Sequence, residues 1–196
     1  ILNRPELIHS PVRQLHARVK VSLGTVHKAR HQLSSTGLDN TPAEDPSTAN
    51  RRRWRGLLEG WVAAYTTRRE SLILGRYSST GPLHDLPRGA AVVSGELAAV
   101  LAGADLRPAT AGLYVDDTAT DLIRAARLRP ESNGPITVRR SIWTPAMLED
   151  SSSQVPGLAP SPVIYADLAS ISDPRTATIA RDWIANDENL RSLLHD

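Results

Sequence analysis

The sequence predicts an α+β fold that begins with short helices, continues through a long connecting helix, and ends in a compact α/β domain with a small mixed sheet. Up to about residue 72, apolar residues recur at the spacing of helices. Beyond Gly75, short apolar runs typical of strands alternate with helical segments. The charge changes sign at the same place: residues 1–76 hold thirteen Lys and Arg against six Asp and Glu, whereas residues 77–196 hold ten against fifteen. This division indicates separate partners for the two halves, with a polyanion for the basic one.

The first part of the chain predicts three helices. Residues 1–8 form a short one, and the next begins at Pro11 with Ser10 as its N-cap. The buried stripe of this second helix is expected at Val12, Leu15 and Val19. A tight turn leads to a third helix, which Ser22 caps and which runs to about Ser34. Its buried stripe repeats the same spacing at Val26, Ala29 and Leu33. The last two helices therefore have the arrangement of a helix-turn-helix.

A polar loop and a long helix follow. Residues 38–50 contain almost no apolar side chains and two prolines, which favours a flexible loop where a winged helix has its β-hairpin. A helix then begins near Arg51, and its broad apolar face consists of Trp54, Leu57, Leu58, Trp61, Val62 and Tyr65. The predicted domains are a helix-turn-helix domain with a flexible wing at residues 1–50, a connecting helix at 51–76 and a C-terminal α/β domain at 77–196.

The C-terminal part predicts alternating strands and helices. Strands are expected within residues 89–94, 110–117, 135–143 and 161–169. Helices are expected within residues 95–104, 118–128 and 172–194. Ser94 is expected to cap the first of these helices, with Glu96 in its first turn, and Asp173 to cap the last, with Pro174 at its start.

The composition limits the class of protein. The chain has no cysteine, so it has neither disulfides nor a thiolate zinc site, and a reducing cytoplasm is favoured. No apolar run approaches the ~20 residues of a membrane-spanning helix, and no signal peptide is present, so we expect no membrane partner. Because the chain begins with Ile1, we expect it to be a segment of a longer protein.

The third helix has the features of a DNA-reading helix. In a helix-turn-helix, the N-terminal end of the second helix enters the major groove. The outward positions here are Thr25, His27, Lys28, Arg30 and His31. Ser22 and Thr25 can hold a phosphate at the helix start, and Gly24 permits close approach of a backbone. Lys28 and Arg30 offer donors to guanine or phosphate. The alternative is the solvated face of an ordinary helix, but the turn, the stripe and the cationic face together favour DNA binding.

Two further groups of residues are candidate binding sites. Arg51, Arg52 and Arg53 form a second basic cluster that can clamp phosphates. Its alternative is a solvated helix start, but positive charge opposes the helix dipole there, which favours a polyanion contact. His27 and His31 have the spacing of metal ligands on one helix, yet no acid accompanies them. We therefore expect an exposed or DNA-facing pair, with no metal and no cofactor.

Carboxylates in the C-terminal half suggest an alternative function. Asp116 and Asp117 follow one predicted strand, and Asp167 ends another. Carboxylates at strand ends can hold Mg²⁺ in nucleases and nucleotidyltransferases. However, no lysine follows Lys28, and the sequence lacks a GxSxG motif, a Gly-rich phosphate loop and a cysteine nucleophile. We expect no catalytic residues, and a nucleic-acid-processing enzyme remains the alternative.

Four blocks of sequence resemble a known family. They are PVRQLHARVKVSLGTVHKARHQLSSTG, LLEGWVAAY, SGELAAVLAGADLRPATAGLYV and VIYADLASISDPRTATIARDWI. In this order they resemble the AbiEi antitoxins of type IV toxin–antitoxin systems, over most of the chain. The most distinctive parts are the succession Ser94-Gly95-Glu96, Leu106-Arg107-Pro108 and Leu113-Tyr114-Val115, and the segment Tyr165-Ala166-Asp167-Leu168.

The resemblance implies both a function and partners. It implies a winged helix-turn-helix that binds double-stranded DNA at its own promoter or operator and represses its operon. It also implies a C-terminal domain that counters a nucleotidyltransferase-like toxin encoded next door, while direct contact with that toxin stays open. By analogy with repressors that bind two half-sites, a homodimer on DNA is expected. The region of residues 38–50 departs from the family pattern because it lacks clear strands.

Overall fold

The N-terminal third is helical in the computed structural model, which describes residues 1–40, 47–86, 89–116, 118–149 and 155–194. A 3₁₀ helix, Pro5–His9, precedes α1 (Val12–Val19) and α2 (Leu23–Ser34). Helix α1 ends at Lys20, whose left-handed backbone (φ 55°) makes the turn into α2. Ser22 caps α2 as predicted, because its hydroxyl accepts the backbone N–H of Thr25 at 3.1 Å.

Two details of these helices differ from the prediction. Ser10 does not cap α1: Pro11 occupies the cap position, and the N–H of Ser10 donates to Leu7 at the end of the 3₁₀ helix. Ala29, expected in the buried stripe of α2, is exposed, whereas Arg30 is half-buried. The stripe is tilted toward Arg30 because this side chain, rather than the small Ala29, faces the carbonyl groups of the 3₁₀ helix.

The long helix α3 spans Thr48–Arg69 and begins three residues before the predicted start. Ser47 caps it by accepting the N–H of Asn50 at 3.2 Å. Residues 41–46 of the expected wing lie outside the described residues, and the described residues 1–40 and 47–72 contain no β-strand. Leu38 instead belongs to a short 3₁₀ helix, Leu38–Asn40, and is buried against Trp54 of α3.

The C-terminal part is built on a mixed sheet, as predicted. Its strands are β1 (Ile73–Ser78), β2 (Val92–Ser94), β3 (Ala111–Val115), β4 (Arg129–Pro130) and β5 (Ile136–Arg140). The strand order is β2-β3-β5-β1-β4, in which β3 and β5 are parallel and the other pairs antiparallel. The short strands β1 and β4 were not predicted.

The two faces of the sheet differ in polarity. Since side chains alternate along a strand, the register places Val93, Leu113 and Val138 on one apolar face. On the other side lie Arg76, Ser94, Tyr114, Thr137 and Arg139, which we call the polar face. Helix α3 and the helix at residues 161–169 carry the residues that meet this face.

The segment SPVIYADLA, predicted as a strand, is a helix. The remaining helices are α4 (Gly95–Leu101), α5 (Thr120–Ala125), α6 (Pro145–Glu149), α7 (Ser161–Ala169), α8 (Pro174–Asn186) and α9 (Glu188–Leu194). Almost every residue of α7 is buried, so its sequence has no polar stripe to distinguish a helix from a buried strand. Asp173 caps α8 as predicted, but the closing helix breaks at Asp187 and yields two helices, α8 and α9.

Within the ranges that the structure describes, buried residues form three clusters. The largest surrounds the sheet, and the smallest, Leu7, Leu15 and Val26, holds α1 and α2 together. The cluster between them, which we call the bridging cluster, comprises Ile8, Leu38, Trp54, Leu58, Leu190, Leu193 and Leu194. It packs α9 against α3 and the N-terminal 3₁₀ helix. Of the helices within the described ranges, none is long and apolar enough to cross a membrane.

Candidate DNA-binding face and buried polar cluster

One face of α2 is exposed along its whole length. Gly24, Lys28 and Gln32 follow one another at four-residue spacing, on the side opposite the buried Val26 and Leu33. This ridge carries no buried side chain. A major groove could therefore accommodate it from the N-terminal end without displacing core residues.

The start of α2 contains the predicted phosphate-binding residues. Ser22 and Thr25 are exposed, and their hydroxyl groups are 2.8 Å apart. The Ser22 hydroxyl also accepts the N–H of Thr25, so it already serves the helix cap. Gly24 is exposed, and a Cβ atom there would approach only the Ser22 hydroxyl, at 3.9 Å. The helix start is thus open to a phosphate at the positive end of the helix dipole.

Arg30 does not lie where the sequence analysis expected it. Its Nη1 donates to the carbonyl groups of Ile8 at 3.1 Å and Ser10 at 2.7 Å. These bonds fasten α2 to the 3₁₀ helix and turn the guanidinium away from the exposed ridge. In this structure Arg30 positions the helix, and Lys28 is the basic side chain of α2 on its exposed face.

The other polar positions of α2 surround Lys28. His27 and His31 are both exposed, and within the described ranges no group of three or more His, Asp or Glu side chains is arranged to hold a metal. Leu23 (44% exposed) and Gln32 are exposed positions that the sequence analysis missed. A Gln amide can read adenine and an apolar side chain can contact a thymine methyl group. The available signal was their position in the sequence, because Gln32 lies one helical turn after Lys28 and Leu23 one turn before His27.

The basic cluster of α3 lies at the other end of α2. Arg52 and Arg53 are exposed and Arg51 is half-buried. The guanidinium of Arg53 lies beside Gly37, with its Nε 3.6 Å from the position of a Cβ there. Gly37 follows the C-terminal end of α2 at Ser34, which is about 15 Å along the helix from Gly24 at 1.5 Å per residue. The structure therefore does not bring these arginines together with the predicted groove-entering residues.

A buried polar cluster centres on Asp167 in α7. Its side chain is 5% exposed and accepts hydrogen bonds from donors on three different elements. The donors are Tyr65 (3.0 Å) and Arg69 (2.9 Å) to Oδ1, and Ser94 (2.7 Å) and Tyr114 (2.9 Å) to Oδ2. The hydroxyl groups of Tyr65 and Tyr114 also contact each other. Ser94 occupies the N-cap position of α4 as predicted, but its hydroxyl makes no capping hydrogen bond because it donates to Asp167.

The two tyrosines are held in their neutral form. Burial raises the pKa of Tyr65 far above its usual value, and the negative charge of Asp167 raises it further. Burial likewise raises the pKa of Tyr114, with Asp167 in the same direction and Arg139 opposing. Both hydroxyl groups therefore remain donors throughout the physiological range of pH.

A second buried carboxylate, Glu96, is also fully engaged. One oxygen accepts the backbone N–H groups of Ala109 and Thr110, both at 2.8 Å, and the other accepts the hydroxyl of Thr176 at 2.7 Å. Glu96 lies in the first turn of α4 as predicted. Its side chain also fastens the loop before β3 to helix α8, which satisfies buried polar groups that would otherwise be costly.

The arrangement of carboxylates differs from the one the magnesium hypothesis assumed. Asp167 was expected at the end of a strand, but it lies within α7, and both its oxygens accept from protein donors. Asp116 is exposed just after β3, while Asp117 lies outside the described residues. The structure therefore assigns Asp167 to a hydrogen-bonded network rather than to the strand-end position on which that hypothesis depended.

Comparison with known proteins places the chain in a family. No curated protein and no solved structure matches it. A family model described as transcriptional regulator, AbiEi antitoxin, type IV toxin–antitoxin system matches residues 51–188. The matched range contains the sheet and the whole cluster around Asp167, and α2 lies outside it. Since the match extends over well over half of the chain, the protein belongs to the AbiEi antitoxin family of transcriptional regulators from type IV toxin–antitoxin systems.

Proposed function

We propose that this protein binds double-stranded DNA at its own promoter through α2, represses its operon, and counters a nucleotidyltransferase-like toxin encoded beside it. The observation that carries the DNA-binding part is the exposed ridge of α2, with its capped, open N-terminal end and Lys28 at its centre. Membership of a family of transcriptional regulators supports the same function. Because the operon and the toxin would both be met in the cytoplasm, the protein would act there.

The proposed division of labour follows the order of the chain. Residues 1–50 bind DNA, α3 connects, and residues 77–196 form the part that opposes the toxin. We assign base reading to Lys28, Gln32 and the flanking His27 and His31, and phosphate contacts to Ser22, Gly24 and Thr25. Arg51, Arg52 and Arg53 contact DNA only where the duplex extends past the C-terminal end of α2.

A titration with DNA tests the proposal. The duplex comes from immediately upstream of the gene, a scrambled duplex serves as control, and the binding is measured at several salt concentrations. We expect selective binding that weakens steeply with salt, since each neutralised phosphate releases a counterion. Equal and weak binding to both duplexes would refute the assignment of α2 as a reading helix. A complex of two chains per operator would support the proposed homodimer.

Two substitutions distinguish reading from positioning. Lys28→Ala is expected to weaken operator binding by about 1–3 kcal/mol, roughly 5- to 150-fold, with little effect on stability. Arg124→Ala is the matched control, because it removes one exposed positive charge from α5 instead. Arg30→Ala is expected to lower the free energy of unfolding, since it removes two partly buried hydrogen bonds to the backbone of Ile8 and Ser10. If Lys28→Ala binds the operator like Arg124→Ala, the ridge of α2 does not read DNA.

A further inference from the structure

A residue of the C-terminal half holds the turn between α1 and α2. The hydroxyl of Thr144, which lies between β5 and α6, donates to the backbone carbonyl of Val19 at 3.0 Å. Val19 is the last residue of α1, and the carbonyl of the last helical residue cannot be paired within its own helix. Because the two residues are 125 positions apart in the chain, this hydrogen bond comes from the tertiary fold. Thr144 therefore caps the C-terminal end of α1 from a different part of the molecule.

The turn after α1 leads directly to the proposed groove-entering end of α2. Lys20 has a left-handed backbone, with φ 55°, which a residue other than glycine seldom adopts. The imidazole Nδ1 of His16 donates to the carbonyl of Val21 at 2.6 Å and ties the turn back to α1. Ser22, the next residue, caps α2. The carbonyl that Thr144 holds thus lies three positions before the residue that caps the proposed reading helix.

Thr144 is itself fixed on the core of the C-terminal half. Its backbone carbonyl accepts the N–H of Met147 at 2.9 Å in the first turn of α6, and α6 packs against α1. The preceding residue, Trp143, is buried and packs on the ring of Tyr114, with ring centroids 4.9 Å apart. Tyr114 in turn donates to Asp167 in the buried polar cluster. A continuous series of contacts therefore leads from Asp167 to the turn.

The core that joins α1 to α2 is small and separate. Its buried residues are Leu7, Leu15 and Val26, and none of them belongs to the cluster around the sheet or to the bridging cluster. Directional contacts at its edges therefore matter for how the two helices are oriented on the rest of the molecule. Arg30 provides such contacts on the side of the 3₁₀ helix, and Thr144 provides one at the turn.

We propose that Thr144 is a positioning residue for DNA binding, which fixes the orientation of the N-terminal end of α2 through the carbonyl of Val19. The inference rests on the proposed reading role of α2. Contacts to base edges need donor–acceptor distances of about 2.7–3.2 Å, so a displacement of about 1 Å at the helix start breaks them. General attraction to phosphates depends on charge and tolerates such a displacement. The Thr144 contact therefore supports selectivity for the operator rather than affinity for DNA in general.

Thr144→Val tests the proposal, because it removes the hydroxyl and keeps the branched shape of the side chain. Operator and scrambled duplexes are titrated with the whole chain at one salt concentration, and thermal unfolding by circular dichroism verifies that each variant is folded. We expect Thr144→Val to bind the operator roughly 3- to 10-fold more weakly than the native protein, which corresponds to the loss of one hydrogen bond. Its affinity for the scrambled duplex is expected to be unchanged. Thr144→Ser keeps the hydroxyl and is expected to restore operator binding.

Thr67→Val is the matched control. The Thr67 hydroxyl donates to the carbonyl of Ala63 in its own helix at 3.0 Å, so the substitution removes the same kind of hydrogen bond from α3 without touching the turn. We expect it to bind both duplexes like the native protein. The proposal is overturned if Thr144→Val binds the operator as tightly as Thr67→Val, if it loses affinity equally for both duplexes, or if Thr144→Ser does not restore binding. A native protein that binds both duplexes equally refutes the proposed function itself, and this inference with it.

Discussion

Replacing Asp167 by Asn is expected to cost much of the stability of the protein. The amide keeps the shape of the side chain but removes its charge and turns one acceptor oxygen into a donor. Whichever way the amide is oriented, it faces either Tyr65 and Arg69 or Ser94 and Tyr114 with an N–H group. In either orientation Arg69 loses its buried counter-charge, and the hydroxyl groups that face the amide must turn to accept its N–H bonds and no longer donate to residue 167.

The magnitude follows from these contacts. Breaking a buried ion pair by removing one partner costs about 3–5 kcal/mol, and an unsatisfied buried donor about 1–3 kcal/mol. Because the Arg69 side chain keeps 15% exposure and can recruit water, we take about 3–5 kcal/mol for the whole change. For a chain of this size, that lowers the melting temperature by roughly 6–20 °C.

Urea unfolding followed by circular dichroism measures the effect. Asp116→Asn makes the same chemical change at an exposed carboxylate and is expected to alter the free energy of unfolding by less than about 0.5 kcal/mol. A loss below about 1 kcal/mol in Asp167→Asn would refute the reasoning, because the four donors would then not depend on the carboxylate.

Three further predictions concern the turns, the helix caps and the tyrosines. Gly134→Ala places a Cβ atom 2.3 Å from the backbone oxygen of Tyr77, so we expect it to lower the free energy of unfolding, measured in urea, by about 1–3 kcal/mol. Gly60→Ala has open space around it in α3, so we expect it to raise the free energy of unfolding by about 0.5–1 kcal/mol. The hydrogen bond from Arg175 lowers the pKa of Asp173 below 3.8. The ionised Asp173 therefore stabilises the folded protein above that pH, and this stabilisation is lost in stronger acid. In Asp173→Asn, the free energy of unfolding should fall less steeply below pH 4. Burial raises the pKa of Tyr65 above 10.0. The neutral Tyr65 therefore stabilises the folded protein below pH 10, and this stabilisation is lost above it. In urea titrations from pH 9 to 11, the free energy of unfolding of Tyr65→Phe should fall less steeply than that of the native protein.

Local signals in the sequence were sufficient for much of the fold. The cap of α2 at Ser22 and that of α8 at Asp173 are formed by neighbouring residues, so the sequence alone could predict them. The apolar runs of β3 and β5 were also predicted. The strand β1 was missed because it follows α3 after a single 3₁₀ turn, Glu70–Leu72, without a Gly or Pro signal. The all-apolar α7 gave no periodicity to separate helix from strand.

The sequence could not predict the hydrogen-bond partners of Asp167 and Arg30, because these partners are distant in the chain. The donors to Asp167 lie between 53 and 102 residues away in the chain, so no local pattern reports them. Arg30 was expected to face outward, but the carbonyl groups that bind it belong to residues 20 and 22 positions earlier. Lys28 and the histidines were predicted to be exposed and are exposed, because no residue of the described ranges packs on that side of α2.

Because the bridging cluster joins helices that are distant in the chain, we expect them to unfold as one cooperative unit. Ile8 packs beside Leu190 and Trp54, and its carbonyl group holds Arg30 of α2. Opening of α9 would expose Trp54 and release Ile8, so α2 would lose an anchor at the same moment. Backbone amides of α2 and α9 should then exchange their hydrogens in a shared opening event. A ligand on α2 would slow exchange in α9 without touching it, which gives the two halves of the protein a route for energetic coupling.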